Sequence, residues 1–210
     1  QTMNTAAMRL DEYAFLRVEG ARSLQFLQGQ LTCNVQNAGP GKVLPGAYCT
    51  PKGRVISSFL LWARAPDSVL LRMRADIADS TAAVLGKYGA LSRVRIERAP
   101  LACIGLAGPG LGQRAGELVA AWPQALHAVS AAGERCLVRR DTAGERFELW
   151  VPRTEADQIW QDLGARLGSA DPAIWRLALL RAGEVEVQHA TTDQFLPQML
   201  GYDASGAVSF

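Results

Sequence analysis

Two stretches of this sequence gather polar side chains around glycines in a pattern able to hold a flat heterocyclic ligand. The first, FLQGQLTCNV at residues 26–35, offers Gln28, Gln30 and Thr32. The second, GAYCTPKGRV at residues 46–55, offers Tyr48, Thr50, Lys52 and Arg54. Amide and hydroxyl groups match the donors and acceptors of ring edges, over a floor of apolar neighbours. A Lys or Arg beside them suits a carboxylate on the ligand. A third stretch, QHATTDQFLPQ at residues 188–198, adds Gln188, Thr191, Thr192, Gln194 and Gln198, with Pro197 fixing a turn. An ordinary helix end, a hairpin and a polar connecting loop would carry the same residues, so residue types alone leave both readings open.

Other chemistries find less support. GLAGPGLG at residues 105–112 has the glycines of a phosphate loop. It fits neither G-x-G-x-x-G nor G-x-x-x-x-G-K-[ST], and a tight strand-to-helix turn is the better reading. Cys33, Cys49, Cys103 and Cys136 form no C-x-x-C pair, and His127 and His189 stand apart from them, so no metal site is expected. Neither His accompanies a G-x-S-x-G nucleophile signature, and no residue is assigned a catalytic role. Cys49, between Tyr48 and Thr50, is expected to be a small structural residue.

The elements that must position these groups read as alternating hairpins and helices. A strand is expected over residues 13–18, followed by a helix with Leu24, Leu27 and Leu31 on one face and Gly29 marking a close approach. Residues 54–62 and 69–73 read as a hairpin turned by Ala65-Pro66-Asp67. A helix follows with Asp76 as its cap, Ile77, Val84, Leu85 and Tyr88 near one face, and Gly89 as its stop. The second half repeats the order: a strand at 101–107, a short helix at 111–119, two strands broken at Ala132-Gly133, and a strand at 147–151. Thr154 is expected to cap a helix striped with Ile159, Trp160, Leu163 and Leu167. Asp171-Pro172 opens another through Trp175 and Leu179 to Gly183. This order predicts an α+β fold with mostly antiparallel sheet, in two halves, 1–98 and 99–210.

Composition bounds the class. The 210 residues are 49% hydrophobic and 20% charged, which excludes a disordered tail and a disulfide-stapled miniprotein. No apolar run approaches the roughly 18 residues of a membrane span, and no signal peptide is visible, so a cytoplasmic protein without a membrane partner is expected. The net charge of +2 hides a basic middle: residues 52–98 hold nine basic and four acidic side chains. Such a segment could face RNA. Its aromatics are too sparse for a stacking platform, so direct nucleic-acid binding is not expected.

FLQGQLTCNV, then GAYCTPKGRVISSFLLW, then WRLALLRAGEVEV and FLPQMLGYDASGAVSF follow one another along nearly the whole chain. In these segments the sequence resembles the YgfZ family of folate-binding proteins, relatives of the glycine cleavage aminomethyltransferase (T-protein). The resemblance implies a fold of two interlocked β-α-β half-domains with tetrahydrofolate, or a derivative, as cofactor. It implies a role in assembling or repairing iron–sulfur proteins, with iron–sulfur enzymes or assembly proteins as partners, and through them support of tRNA modification. The ligand contacts expected on this reading are Gln28, Gln30, Tyr48, Thr50, Lys52, Arg54, Gln188 and Gln198.

The departures from the relatives bear on chemistry. T-proteins carry an aspartate shortly after the glycine that matches Gly53, where this chain reads Val55-Ile56-Ser57-Ser58. They also carry an R-x-E-x-G motif, and its glutamate position is Arg181 here. Without these carboxylates the alternative function, tetrahydrofolate-dependent aminomethyl transfer, lacks its expected proton-handling groups. In the family a segment like VSF is followed by K-G-C-Y-x-G-Q-E and a C-terminal domain, neither of which is in this chain.

Overall fold

The computed structural model describes residues 4–209. In chain order the first half forms β1 (Ala6–Arg9), β2 (Tyr13–Glu19), α1 (Ser23–Gln28), β3 (Val43–Cys49), β4 (Val55–Ala65), β5 (Ser68–Arg74), α2 (Ala75–Gly89) and β6 (Arg95–Ala99). The second forms β7 (Leu101–Ala107), α3 (Leu111–Arg114), β8 (Val129–Ala132), β9 (Arg135–Arg139), β10 (Arg146–Pro152), α4 (Ala156–Leu167) and α5 (Pro172–Arg181). Among the described residues the strands make two five-stranded sheets, β1-β7-β10-β9-β8 and β3-β4-β5-β2-β6, with antiparallel neighbours throughout. The expected α+β class with antiparallel sheet is the observed one.

The chain separates into two compact units, each containing one sheet and one exchanged segment. One unit joins the residues up to Asp11 to Pro100–Glu184; the other joins Glu12–Ala99 to the residues from Val185 onward. The linear halves 1–98 and 99–210 differ from this at both ends, for two reasons. β1 pairs with β7 in the register Ala6↔Ala107. Past Val185, backbone bonds run from Val55 N to the Phe195 carbonyl and from Ser209 N to the Thr32 carbonyl.

In the unit built on β7, strand alternation divides the sheet into two unlike faces. Ala102, Ile104, Leu106, Leu137, Phe147, Leu149 and Val151 lie on one, packed with Leu163 and Leu167 of α4. Arg146, Glu148 and Trp150 alternate with these on β10 and so occupy the other. There α5 lays Trp175 over Gly105, where an added Cβ would stand 2.8 Å from the indole. Asp171 caps α5 by accepting from Ala173 N at 2.7 Å, with Pro172 in the first turn, as its sequence implies.

The unit built on β4 repeats the principle. Ala14, Leu16, Val18, Phe59, Leu61, Val69, Leu71 and Met73 form a core with Phe26 and Leu27 of α1 and Ile77, Ala78 and Leu85 of α2. Tyr13, Ser58 and Arg72 sit on the alternate positions.

Five local expectations are corrected. Asp76 does not cap α2: the helix starts at Ala75, whose N–H reaches the Glu12 carbonyl, and the Asp76 carboxylate accepts instead from His189 N. Thr154 does not cap α4, whose first residue follows Glu155, and Asp157 pairs with Arg9. The helix expected to Val119 stops at Arg114, because Gly116 turns left-handed at φ +79. No other segment's backbone comes close to Gly29, where an added Cβ would meet only the Phe26 carbonyl at 3.5 Å; it ends α1 with φ −80, and Tyr88 on α2 is exposed rather than packed.

The turn after β7 depends on a glycine. Gly108 has φ +115, and a Cβ there would lie 2.5 Å from Thr5 Cα. Gly133, at φ +62, has open space around it. We expect Gly108→Ala to destabilise the protein by at least about 3 kcal/mol and Gly133→Ala by about 1 kcal/mol, measured by urea unfolding.

Candidate functional site

The three polar stretches meet in the unit built on β4. Thr32 joins the first stretch to the second and to the chain near Ala207. Its hydroxyl accepts from Ala47 N at 2.9 Å and donates to the Ala207 carbonyl at 2.6 Å, while its own N–H reaches the Ala47 carbonyl. Leu31 forms an isolated bridge to Tyr48, placing the end of the first stretch along β3. At the other end of the hairpin, the loop 188–198 runs beside the start of β4. Asp193 N donates to the Val55 carbonyl, Val55 N to the Phe195 carbonyl, and the Thr192 hydroxyl to the Ile56 carbonyl.

The individual residues have distinct surroundings. Gln28 turns back, its amide oxygen accepting from Val35 N at 2.7 Å, and so closes the turn after α1. Gln30 is half-buried beyond Gly29. Tyr48 is buried in β3, and that burial raises its phenol. Thr50 organises the hairpin turn: its hydroxyl accepts from Arg54 N, and its carbonyl accepts from Gly53 N at φ +79. Lys52 is exposed at the tip. Arg54 ties the hairpin to the loop, its Nη1 donating to the Gln194 carbonyl at 2.9 Å. Gln188 leads into a short turn with Thr191, whose hydroxyl accepts from Gln188 N at 3.1 Å. Gln198 is exposed on the turn Pro197–Leu200. Cys49 is partly buried and not in a disulfide, its thiol pushed up by desolvation.

Sequence reading missed the charged centres. On the second face of the β4 sheet, Arg72 is buried, and its Nη1 lies 2.6 Å from Glu186 Oε1. The Tyr13 hydroxyl donates to Glu186 Oε2 at 2.7 Å, and the Arg72 guanidinium sits 4.1 Å over the Tyr13 ring. Next along the chain, Val187 N donates to Ser58 Oγ, one of the serines standing where T-proteins have a carboxylate. Tyr202 donates to the Val185 carbonyl and is pushed up to about 12, mainly by burial and further by Glu186 nearby, against the opposing pull of Ser58.

The β7 unit has a larger buried network. Arg140 Nε lies 3.1 Å from Glu148 Oε1, and both Arg140 and Arg146 bind the carboxylate of Glu184. Trp150 Nε1 donates to Glu148 Oε2 at 2.9 Å, with the Cys103 thiol on the same oxygen. His127 is pushed down to about 4, first by burial and then by the Arg140 charge, so it is neutral at pH 7. Alternation of Arg146, Glu148 and Trp150 was the available signal for this network.

No family model matches the sequence. The chain is 29% identical over 202 residues to the tRNA-modifying protein YgfZ of Yersinia pestis (strain Pestoides F), covering 96% of this chain and 61% of that protein. The YgfZ protein of Yersinia enterocolitica serotype O:8 is 28% identical over the same length. Its curated homologues are YgfZ proteins. The chain spans about three-fifths of their length, 61% in each case. The fold is similar to glycine cleavage aminomethyltransferase T from Bartonella henselae, with TM-score 0.68, 17% identity and coverage of 81% of this chain and 48% of that one. Heterotetrameric sarcosine oxidase from Corynebacterium sp. U-96 gives TM-score 0.52 at 12% identity, over 79% of this chain and 86% of that chain. These structures establish an aminomethyltransferase-like fold.

Among the described residues there is no group of three or more His, Cys, Asp or Glu able to hold a metal ion, and no helix is long and apolar enough to cross a membrane. Arg181, at the position of the T-protein glutamate, is exposed on the last turn of α5.

Two measurements follow from the charged centres. Glu186→Gln removes a carboxylate charge that binds the buried Arg72 and should cost about 3 kcal/mol, whereas Arg72→Met/Glu186→Leu should recover most of that loss. His127 takes up a proton below pH 6.5 in the unfolded chain but only near 4 in the folded one. Stability is therefore full above pH 6.5 and falls as pH drops toward 4, by up to about 3 kcal/mol. Comparison with His127→Gln in urea titrations at pH 7 and 4.5 should show a smaller acid loss in the variant.

Proposed function

We propose that this chain binds a reduced folate, tetrahydrofolate or a derivative, and that through this it supports assembly or repair of iron–sulfur proteins and, indirectly, tRNA modification in the cytoplasm. The observation that carries the reading is the pair of junctions at Thr32 and Val55, where the three polar stretches, which overlap segments resembling the YgfZ family, come onto one hairpin. Tyr48 and the amides of Gln30, Gln188 and Gln198 are the groups proposed for the ring system, with Gln28 and Thr50 fixing the turns that present them. Lys52 is the point charge proposed for the glutamate carboxylates of the ligand. Arg54 holds the 188–198 loop against the hairpin and is the second positive charge proposed for that tail. The tRNA-modifying name of the Yersinia relatives supports the final step; iron–sulfur proteins are the proposed partners.

Aminomethyl transfer is not part of the proposal. Ser58, near the position of the T-protein aspartate, is engaged as acceptor for Val187 N. A hydroxyl also lacks the negative charge that would stabilise a protonated reaction centre.

Calorimetry with tetrahydrofolate should give saturable binding, and mixing with glycine-cleavage partners should give no turnover. Lys52→Met/Arg54→Met should weaken polyglutamylated folate about ten-fold, a loss that shrinks at high salt, while affecting the monoglutamate less. Absence of folate binding by the folded protein would sink the proposal; equal losses for both ligands would remove Lys52 and Arg54 from the tail site.

A further inference from the structure

In the β7 unit, two buried guanidiniums close on one carboxylate that belongs to the chain itself. Arg140 and Arg146 have side chains 4% and 6% exposed, and each uses Nη2 to bind a different oxygen of Glu184. Arg146 Nη2 also donates to the Arg140 carbonyl at 2.7 Å, which holds the two forks side by side. Glu184 is 29% exposed, much more open than the arginines it binds.

The clamp has donors to spare. Arg140 Nη1, Arg146 Nη1 and the Trp175 indole N–H are all buried without a hydrogen-bond partner. The Arg146 guanidinium is 5.6 Å from the Trp175 ring, so at least two of these donors share one neighbourhood. Buried donors left unpaired are rare in native proteins, and several together point to an acceptor that the protein itself does not supply.

Charge restricts what that acceptor can be. Arg140 and Arg146 are already balanced by Glu148 and Glu184. An anion added to this set would be buried without a counter-charge, whereas one that takes the place of Glu184 leaves the balance unchanged. Glu184 follows Gly183, left-handed at φ +68 just beyond α5, and its partial exposure gives its side chain a way out to solvent.

We propose that Arg140 and Arg146 form a binding clamp for a small 2-oxo- or 2-hydroxycarboxylate, whose carboxylate exchanges with that of Glu184. The two carboxylate oxygens take over the Nη2 donors, one from each arginine, as the Glu184 oxygens do now. The third oxygen, on carbon 2, accepts from a donor that Glu184 leaves unpaired. The exchange is non-covalent and transfers no proton. It is independent of the folate proposal, which rests on the other unit.

Pyruvate is the probe, and propionate, which lacks the third oxygen, is the control. By calorimetry, Glu184→Gln should bind pyruvate about ten-fold more tightly than the wild type does, and more tightly than it binds propionate. Adding Arg146→Met to that variant should abolish binding while circular dichroism stays unchanged. A folded Glu184→Gln protein that does not bind pyruvate would overturn the assignment, as would equal affinity for propionate or unchanged affinity with Arg146→Met. If Glu184→Gln does not fold, the wild type decides: its melting temperature should rise in pyruvate relative to sodium chloride of equal ionic strength, and no rise refutes the clamp.

Discussion

Both units depend on supplying counter-charge to arginines that lie out of water, and one short segment does much of this. Glu184 binds Arg140 and Arg146 in the β7 unit; Glu186, two residues on, binds Arg72 in the β4 unit. A guanidinium taken from water loses several kcal/mol of hydration, and only close, well-oriented carboxylates offset that loss. Glu148, fully buried, completes the set beside Arg140. Once these arginines occupy the second faces of their sheets, the path of the chain after α5 is tightly constrained. Gly183 must turn, Glu184 must face one set of donors, and Glu186 another.

The polar stretches acquire their arrangement from the same path. Val187, next to Glu186, donates to Ser58, which sets the strand-like course of the chain into the 188–198 loop. That loop then meets β4 through Val55, Ile56 and Arg54. Further on, Tyr202 returns to the Val185 carbonyl and Ala207 receives the Thr32 hydroxyl. The proposed ligand groups are therefore held largely by main-chain bonds. Substituting one side chain there should perturb recognition more than fold, except at Thr32, where a single hydroxyl serves two backbone partners.

Sites where the chain departs from T-proteins are occupied in ways that make structural sense. Ser58 spends its oxygen on a backbone N–H, and Arg181 is solvated at the end of α5, where its charge complements the helix dipole. The similarity to aminomethyltransferase T is one of fold, and the polar groups placed on that fold differ from the motif of those enzymes. Fold and chemistry are separable, because packing is set by the alternating apolar positions and reaction by a few polar ones.

By itself the sequence determined what depends on neighbours in the chain. The strands at 101–107 and 147–151, the hairpin turned at Ala65-Pro66-Asp67, the stripe of α4 and the Asp171-Pro172 start of α5 all have local physical causes and are found where they were expected. The resemblance of segments 26–35, 46–62, 175–187 and 195–210 to the YgfZ family was equally legible. Helix starts at Asp76 and Thr154 were misread because tertiary partners outcompeted the local cap: His189 N took the Asp76 carboxylate, and Arg9 took Asp157. Only the tertiary structure decided that residues 6–9 pair with β7, that the chain after Val185 returns to the first sheet, and that Arg72, Arg140 and Arg146 are buried. Arginine reads as a surface residue in a sequence; its burial depends on carboxylates that are up to 114 residues away for Arg72 and Glu186. No local pattern encodes the Arg72–Glu186 pairing, since desolvation and its compensation arise only when these distant segments are brought together.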